Sequence, residues 1–354
     1  MISKQAVNKL IRWYEKNRRV LAWREDPTPF HVWVSEVMLQ QTRVEAVKDY
    51  YARFMEEIPD VEALAQIPEE RLLKLWEGLG YYSRARNLKK AAEHIMTEYD
   101  GEIPASYEEL IKLPGIGAYT AGAIASIAFG APYPAVDGNV LRVLTRLHAD
   151  GRDIAEEKTK RAVADALRDV YRALPKTSAS PGTLTQALME LGATVCVPNG
   201  EPHCDKCPWE KECKAHALGR ETDFPVKAAK KARRIEERTV LVLQDENATL
   251  IRKRPARGLL AGLYELPSLD GHFTLAQVRK WLKEQGVAAL RIEHLPDAKH
   301  IFTHIEWHMC AFRVTLDTLS DFSPRVLDGI LADRNEIEKR YPMPGAFKAY
   351  RMYL

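Results

Sequence analysis

From Ile2 to about Arg220, apolar residues return every three or four positions with short polar breaks and few β-branched runs, which predicts a helical region. The N-terminal stretch MISKQAVNKLIRWYEK reads as an amphipathic helix, and His31–Thr42 (HVWVSEVMLQQT), Glu62–Trp76 and Gly182–Val195 as further helices. Ser106–Leu113 reads as a helix capped by Ser106, with Glu109 three residues on in the capping-box pattern and Pro114 ending it. Tyr119–Phe129 is small and apolar nearly all round, as a buried helix should be. Between these two, Gly115 and Gly117 supply a tight turn without Cβ atoms. The N–H groups of Gly115 to Ala118 then point out of a helix N-terminus, an end suited to phosphate. No fixed-period repeat is visible.

The pattern changes after residue 220. Glu221 to Arg238 is charged and lacks helical apolar spacing, so it reads as a linker. Thr239–Leu243 and Thr249–Lys253 then look like strands around a turn at Asp245–Asn247, Leu275–Gln285 like a helix and Trp307–Leu316 like a strand. The expected organisation is a mainly α region over 1–220, a linker over 221–238 and an α+β domain over 239–354 of ordinary size.

Several residues carry candidate chemistry. The helical neighbours of Glu36 are Val32, Trp33, Leu39 and Gln40, a dry setting that raises a carboxyl pKa and suits a general acid near neutral pH. The bland alternative is a Glu that reaches water or caps a loop. Asp137 stands at the mouth of a helix over Gly138–Leu147, where by itself it would only be an N-cap worth about 1 kcal/mol. The loop Gly78–Ser83 flanks Tyr81 and Tyr82 with glycines, which can present a flat ring to a base stack or fold the rings onto the core. Arg84, Arg86, Lys89 and Lys90 follow, as phosphate contacts or as a solvated face. Cys196, Cys204, Cys207 and Cys213 form C-x7-C-x2-C-x5-C, while Cys310 stands apart. That grouping favours a metal site over disulfides. One close pair with two outliers suits a cubane iron–sulfur cluster better than a zinc ribbon with two C-x2-C knuckles. A formal net charge of +3 does not by itself indicate a nucleic-acid partner. No membrane-spanning run or signal peptide is visible.

The hairpin with Asp137 behind it resembles the helix-hairpin-helix DNA glycosylase superfamily. Three longer segments sharpen this: WVSEVMLQQTRV at Trp33–Val44, WEGLGYYSRARN at Trp76–Asn87 and PAVDGNVLRV at Pro134–Val143. With them the chain resembles bacterial adenine DNA glycosylases of the MutY type along nearly its full length. The resemblance implies a helix-hairpin-helix catalytic region with an iron–sulfur loop at 196–213, followed by a Nudix-like domain. It implies removal of adenine opposite 8-oxoguanine or guanine in double-stranded DNA by a monomeric, cytoplasmic, nucleoid-associated base excision repair enzyme with no membrane contact.

Carried over, Glu36 is the general acid, Asp137 stabilises the sugar cation, Asn139 orients these groups and Tyr119 sits beside the sugar. Gln41 and Tyr81 match wedge residues, with Thr42 beside Gln41 at the DNA. Arg19, Leu21, Trp23 and Arg24 match the adenine-pocket segment, and Gly115 and Gly117 the phosphate-gripping hairpin. Cys196, Cys204, Cys207 and Cys213 match ligands of a [4Fe-4S] cluster, with seven residues here between the first two where the family usually has six. Phe302-Thr303-His304 resembles a Phe-Ser-His loop that inspects 8-oxoguanine, Thr keeping the hydroxyl. Endonuclease III-like enzymes carry a Lys where Tyr119 stands, so a glycosylase without strand cleavage is expected. Trp281, Lys283 and Gln285 stand where a Nudix helix would hold metal-binding glutamates, which speaks against nucleotide hydrolysis. The rival readings are a pyrimidine or thymine mismatch glycosylase and a lesion-binding protein without chemistry.

Overall fold

The computed structural model describes residues 2–174, 180–228, 232–319 and 329–354. The chain packs as two units, one of Met1–Gln66 with Asn87–Ala229, the other of Ile67–Arg86 with Lys230–Leu354. The expected division near residues 220–238 differs from this in one respect: the segment 67–86 belongs with the C-terminal residues. Specific bonds hold it there. Lys74 donates to the carbonyls of Ile337 and Tyr341, each at 3.2 Å, and Arg86 donates to Glu69 and to the Ala261 carbonyl.

The first unit is helical. In chain order the helices are α1 (Lys4–Asn17), α2 (Ala22–Glu25), α3 (Pro29–Leu39), α4 (Val44–Glu57) and α5 (Val61–Gln66). Next comes α6 (Glu69–Leu75), in the second unit, and then α7 (Ser83–Glu98), whose residues from Asn87 belong to the first. Then follow α8 (Tyr107–Leu110), α9 (Ala118–Ala123), α10 (Gly138–His148), α11 (Glu157–Arg172), α12 (Pro181–Thr194) and α13 (Lys214–Ala217). Side chains from α1, α10, α11 and α12 share one core, closed by Trp209 of the cysteine loop.

Three local expectations are corrected. The helix expected over Glu62–Trp76 is two, because Pro68 cannot donate a backbone N–H to continue the first and instead caps the second. The capping box at Ser106 does not form: Ser106 donates to Glu108, while Glu109 accepts from Tyr99 and Lys112. The buried helix expected over Tyr119–Phe129 starts as α9 and widens into a π-helix over Ile124–Ala128. There the Ser126 hydroxyl donates to the Gly122 carbonyl at 2.7 Å. Gly122 itself meets the loop before Asp137 so closely that a Cβ would lie 2.4 Å from the Pro134 carbonyl oxygen.

The second unit is built on a curled sheet of strand order β3-β2-β1-β6-β5, from β1 (Arg234–Gln244), β2 (Thr249–Lys253), β3 (Tyr264–Glu265), β5 (Ala289–Ile301) and β6 (Ile305–Leu316). The short β4 (Ser268–Asp270) pairs with β1 and β7 (Ile330–Ala332) with β2; α14 (Leu275–Glu284) and α15 (Arg334–Lys339) flank them. Strand β1 begins inside the stretch read as linker, since Arg234–Arg238 pair in parallel with Ile305–Met309. Residues 229–231 of that stretch lie outside those described. The long strand β5 was not expected, because its charged residues and Pro296 hide the alternation; the ladder slips between Leu295 and Ala298, where the proline falls.

Candidate active site

Helix α3 is apolar nearly all round, and Thr28 caps it by accepting from the His31 N–H, so Glu36 is carried into the interior. Glu36 is only 6% exposed. The Tyr119 hydroxyl, from the first turn of α9, donates to its Oε2. Burial pushes the Glu36 carboxyl up from 4.5 to about 7, the nearby Asp137 charge adding to this while the Tyr119 bond and Arg24 oppose it. Burial and the two carboxylates hold the Tyr119 phenol well above 10, so it remains a donor.

Asp137 caps α10, accepting from the Val140 N–H at 2.8 Å through Oδ1. Its Oδ2 accepts from the Asn139 amide at 2.7 Å. Its pKa is still raised, because burial outweighs those bonds. The capping role read from sequence is therefore present, and the carboxylate is nonetheless held in a dry site. Behind it, Arg142 donates to Asn139 Oδ1, to the Gly192 carbonyl and to the Cys196 carbonyl, each at 2.7 Å. A continuous chain of bonds thus joins Asp137 to the first cysteine.

A cavity of about 900 Å³ opens onto these groups. Its lining contains Glu36, Tyr119, Asp137, Asn139, Arg19, Leu21, Trp23, Arg24, Gln41, Thr42, Gly115 and Gly117. Twelve positions singled out in the sequence are therefore brought to one space. Gly115 has φ +76°, and a Cβ there would lie 2.5 Å from the Asn87 Cβ, so only glycine fits this turn. Gln41, just past the end of α3, has φ +58°, unusual for a residue with a side chain, and is exposed.

Sequence reasoning missed Glu190. It is fully buried on α12 and accepts from Arg19 Nε at 2.7 Å and Arg24 Nη2 at 2.8 Å. Burial alone would raise its pKa, but the bonds from Arg19 and the charge of Arg24 bring it below the usual value. Glu190 thereby fixes both arginines at the cavity wall. The dry-neighbour argument that singled out Glu36 is weaker for Glu190, whose helical neighbours at three and four residues are Gln186, Ala187, Ala193 and Thr194, two of them polar.

The remaining positions lie elsewhere. In the second unit Tyr81 is 46% exposed with φ +47°, while Tyr82 is buried, so one ring of the pair faces outward. Phe302-Thr303-His304 forms the turn of the β5–β6 hairpin, closed by the Phe302 N–H on the Ile305 carbonyl. Tyr81 and Thr303 share a hydroxyl–hydroxyl bond of 3.1 Å. Arg84, read as a possible phosphate contact, is buried and donates to the Leu79 and Gly80 carbonyls; Lys89 donates to the Ala65 carbonyl.

Cys196, Cys204, Cys207 and Cys213 are all free thiols. Burial, with charge on each of the other three adding to it, pushes Cys207 up to about 12. Arg146 Nη1 donates to Cys196 Sγ at 3.3 Å and the Trp209 N–H to Cys207 Sγ at 3.4 Å. Four converging sulfurs that would repel one another as thiolates, with N–H donors aimed at two, fit a cationic iron–sulfur group. His216 and Glu221 lie beside Cys204, their ligand atoms all within 4.8 Å of one another.

Comparison with known proteins decides the family. The chain is 37% identical over 368 residues to the adenine DNA glycosylase of Mus musculus, covering 87% of this chain and 70% of that protein. The chain belongs to the adenine DNA glycosylase family. It is also 31% identical over 338 residues to the adenine DNA glycosylase of Buchnera aphidicola subsp. Schizaphis graminum, covering 95% of each. Residues 34–169 match the HhH-GPD superfamily of base excision DNA repair proteins, and residues 238–351 match the NUDIX domain. Among solved structures, endonuclease III in a trapped covalent DNA complex is similar, with 26% identity and TM-score 0.51 over 62% of this chain and 99% of that one. A thermostable thymine-DNA glycosylase is similar at 25% identity and TM-score 0.54, over 61% of this chain and 96% of that one. The protein is thus a DNA glycosylase of base excision repair, with an endonuclease III-like helical region and a Nudix-like domain. No described helix is long and apolar enough to cross a membrane.

Proposed function

We propose that the chain excises adenine paired with 8-oxoguanine or guanine in duplex DNA and leaves an abasic site without cutting the strand. The observation that supports this most directly is the buried Glu36 carboxyl, with a pKa of about 7, sharing one cavity with Asp137. Protonated Glu36 donates to N7 of an extruded adenine. The glycosidic bond then breaks with its electron pair going to the base, which leaves as neutral adenine. Asp137 faces the oxocarbenium-like sugar and stabilises its positive charge. The Glu36 carboxylate next takes a proton from water, which adds to the sugar carbon and regenerates the acid. Tyr119 holds Glu36, and Asn139 holds Asp137.

Arg19, Leu21, Trp23 and Arg24 form the adenine pocket. The backbone N–H groups at Gly115 and Gly117 grip a phosphate. Gln41 and Tyr81 each act as a wedge residue and Thr42 contacts the DNA beside Gln41; the strained backbones of Gln41 and Tyr81 fit residues held out to enter a base stack. Extrusion costs a few kcal/mol, least at a mispair. Phe302, Thr303 and His304 read the opposite base. A phenol at position 119 cannot form a Schiff base, so no lyase step is available there.

Cys196, Cys204, Cys207 and Cys213 would hold a [4Fe-4S] cluster, which supplies a cross-link for a loop with little core of its own. The likeness to bacterial members of the family supports a cytoplasmic, nucleoid-associated monomer. The test is base release across all mispairs, with and without alkali, and iron measured on the same sample. Adenine release opposite 8-oxoguanine with nicks only after alkali is expected; release of thymine, or nicking without alkali, would overturn the reading.

A further inference from the structure

One wall of the 900 Å³ cavity is built from residues that the proposed chemistry does not use. Tyr107, at the start of α8, and Tyr133, in the loop before Asp137, stack face to face, with ring centres 4.4 Å apart and planes 2° apart. The Tyr133 hydroxyl donates to Glu108 at 2.6 Å, which fixes the outer ring. The Arg168 guanidinium, from α11, lies 5.6 Å from the Tyr133 ring centre, within reach of a cation–π contact. Its Nε is buried and has no hydrogen-bond partner among the described residues. Its remaining ion pair, with Asp165 at 3.4 Å, is marginal in geometry, and Asp165 is 69% exposed.

Arg168 is not alone on its helix face. Lys160, Arg161 and Ala164 line the same cavity. Positions 160, 161, 164 and 168 fall on one side of a 3.6-residue helix, with the small Ala164 leaving the middle open. From Arg161 to Arg168 the helix rises about 10 Å. That matches the axial rise of roughly three base pairs of duplex DNA. Three exposed carboxylates face these cations: Glu157, which approaches Lys160 at 3.5 Å in a weak pair, Asp165, and Glu108, whose pKa the Arg168 charge helps to lower. The wall therefore presents cations whose carboxylate neighbours are all exposed and weakly held, and one of them, Arg168, lies against an aromatic stack with its Nε free of any hydrogen-bond partner among the described residues.

We infer that the α11 face of Lys160, Arg161 and Arg168 is a track for the DNA backbone, with the Tyr107–Tyr133 stack holding Arg168 ready for a phosphate. The ligand is a run of phosphodiesters on a strand passing the cavity. This rests on the glycosylase reading, since it extends the phosphate grip of the Gly115–Gly117 turn to a second element of the same cavity. The stack also joins the helix before that turn to the loop before Asp137, so phosphate contact at Arg168 and the placement of Asp137 share a support.

The test is the salt dependence of duplex binding by the full, iron-loaded chain. The probes are a fully paired duplex and one with an uncleavable 2′-fluoro-deoxyadenosine opposite 8-oxoguanine. Each phosphate contact contributes about 0.9 to the slope of log affinity against log salt. Arg168→Gln should lower the slope by about one on both duplexes, and the combined Lys160→Gln, Arg161→Gln, Arg168→Gln variant by about three times as much. Arg168→Lys should keep the slope. Tyr133→Leu should keep the slope and weaken binding several-fold, because the charge survives without its support. An unchanged slope in Arg168→Gln, or a slope lost equally in Arg168→Lys, would overturn the track; unchanged affinity in Tyr133→Leu would overturn the role of the stack. If the wild type releases no adenine while the slopes shift as stated, the track stands and the glycosylase reading falls.

Discussion

The Tyr119 hydroxyl donates its proton to Glu36 Oε2 and is the main force holding down a carboxyl that burial pushes up to about 7. Only the protonated acid can donate to adenine, so base release should fall as pH climbs through about 7. Tyr119→Phe removes the opposing bond. The alkaline limb of single-turnover base release should then move up by about one unit, since a hydrogen bond to a charged group contributes on the order of 1.5 kcal/mol. A limb that stays in place or moves down would show that the bond does not set the acidity of Glu36.

Glu36 should also cost stability. Its folded pKa lies above its unfolded value, so between pH 4.5 and about 7 the folded protein keeps a proton that the unfolded chain releases. Stability therefore falls as pH rises through that window, and the penalty is complete above it. Glu36→Gln, which can still accept from Tyr119, should be more stable than wild type above pH 7, by up to about 3 kcal/mol. Near pH 4.5 the two should match. Denaturant melts at both pH values check this; a variant less stable than wild type above pH 7 would contradict the buried-acid account.

Asp137 has two jobs that different substitutions separate. Asn is as good an N-cap as Asp, so Asp137→Asn should keep the melting temperature while base release drops roughly 10²-fold or more. Asp137→Ala should lose the same activity and in addition about 1 kcal/mol of stability. Activity retained in the Asn variant would reduce Asp137 to a cap.

The second unit makes its own prediction. Thr303 and Tyr81 share a hydroxyl bond at the exposed β5–β6 turn. Thr303→Val keeps the shape and removes the hydroxyl. It should narrow the preference for 8-oxoguanine over guanine opposite adenine by about 5–10-fold, the worth of one hydrogen bond, and change stability by under about 1 kcal/mol. Equal loss on both substrates would instead point to a general fault in binding.

Much of the site was legible because its signals are local. Glu36 sits among apolar neighbours on its own helix, Asp137 follows a glycine turn and a proline-broken loop, and four cysteines crowd into a short span. What was not legible depends on partners far along the chain. Arg19 and Arg24 gain their fixed positions from Glu190, about 170 residues away, and Tyr107 finds Tyr133 only once the turn between them has folded. In the second unit β1 was read five residues short, because its first residues are charged and only pairing with β6 makes them strand. Strand β5 was lost for the same reason, with a proline at its slip in register adding to the disguise.

The most direct measurement is single-turnover adenine release from a duplex with adenine opposite 8-oxoguanine, by wild type and Glu36→Gln, alongside the affinity of each for the same duplex. Wild type should release adenine, and Glu36→Gln should bind as tightly and release none on the same timescale. Release at the wild-type rate without the Glu36 carboxyl would mean that the proton reaches the base by another route and that the chemistry assigned to this cavity is wrong.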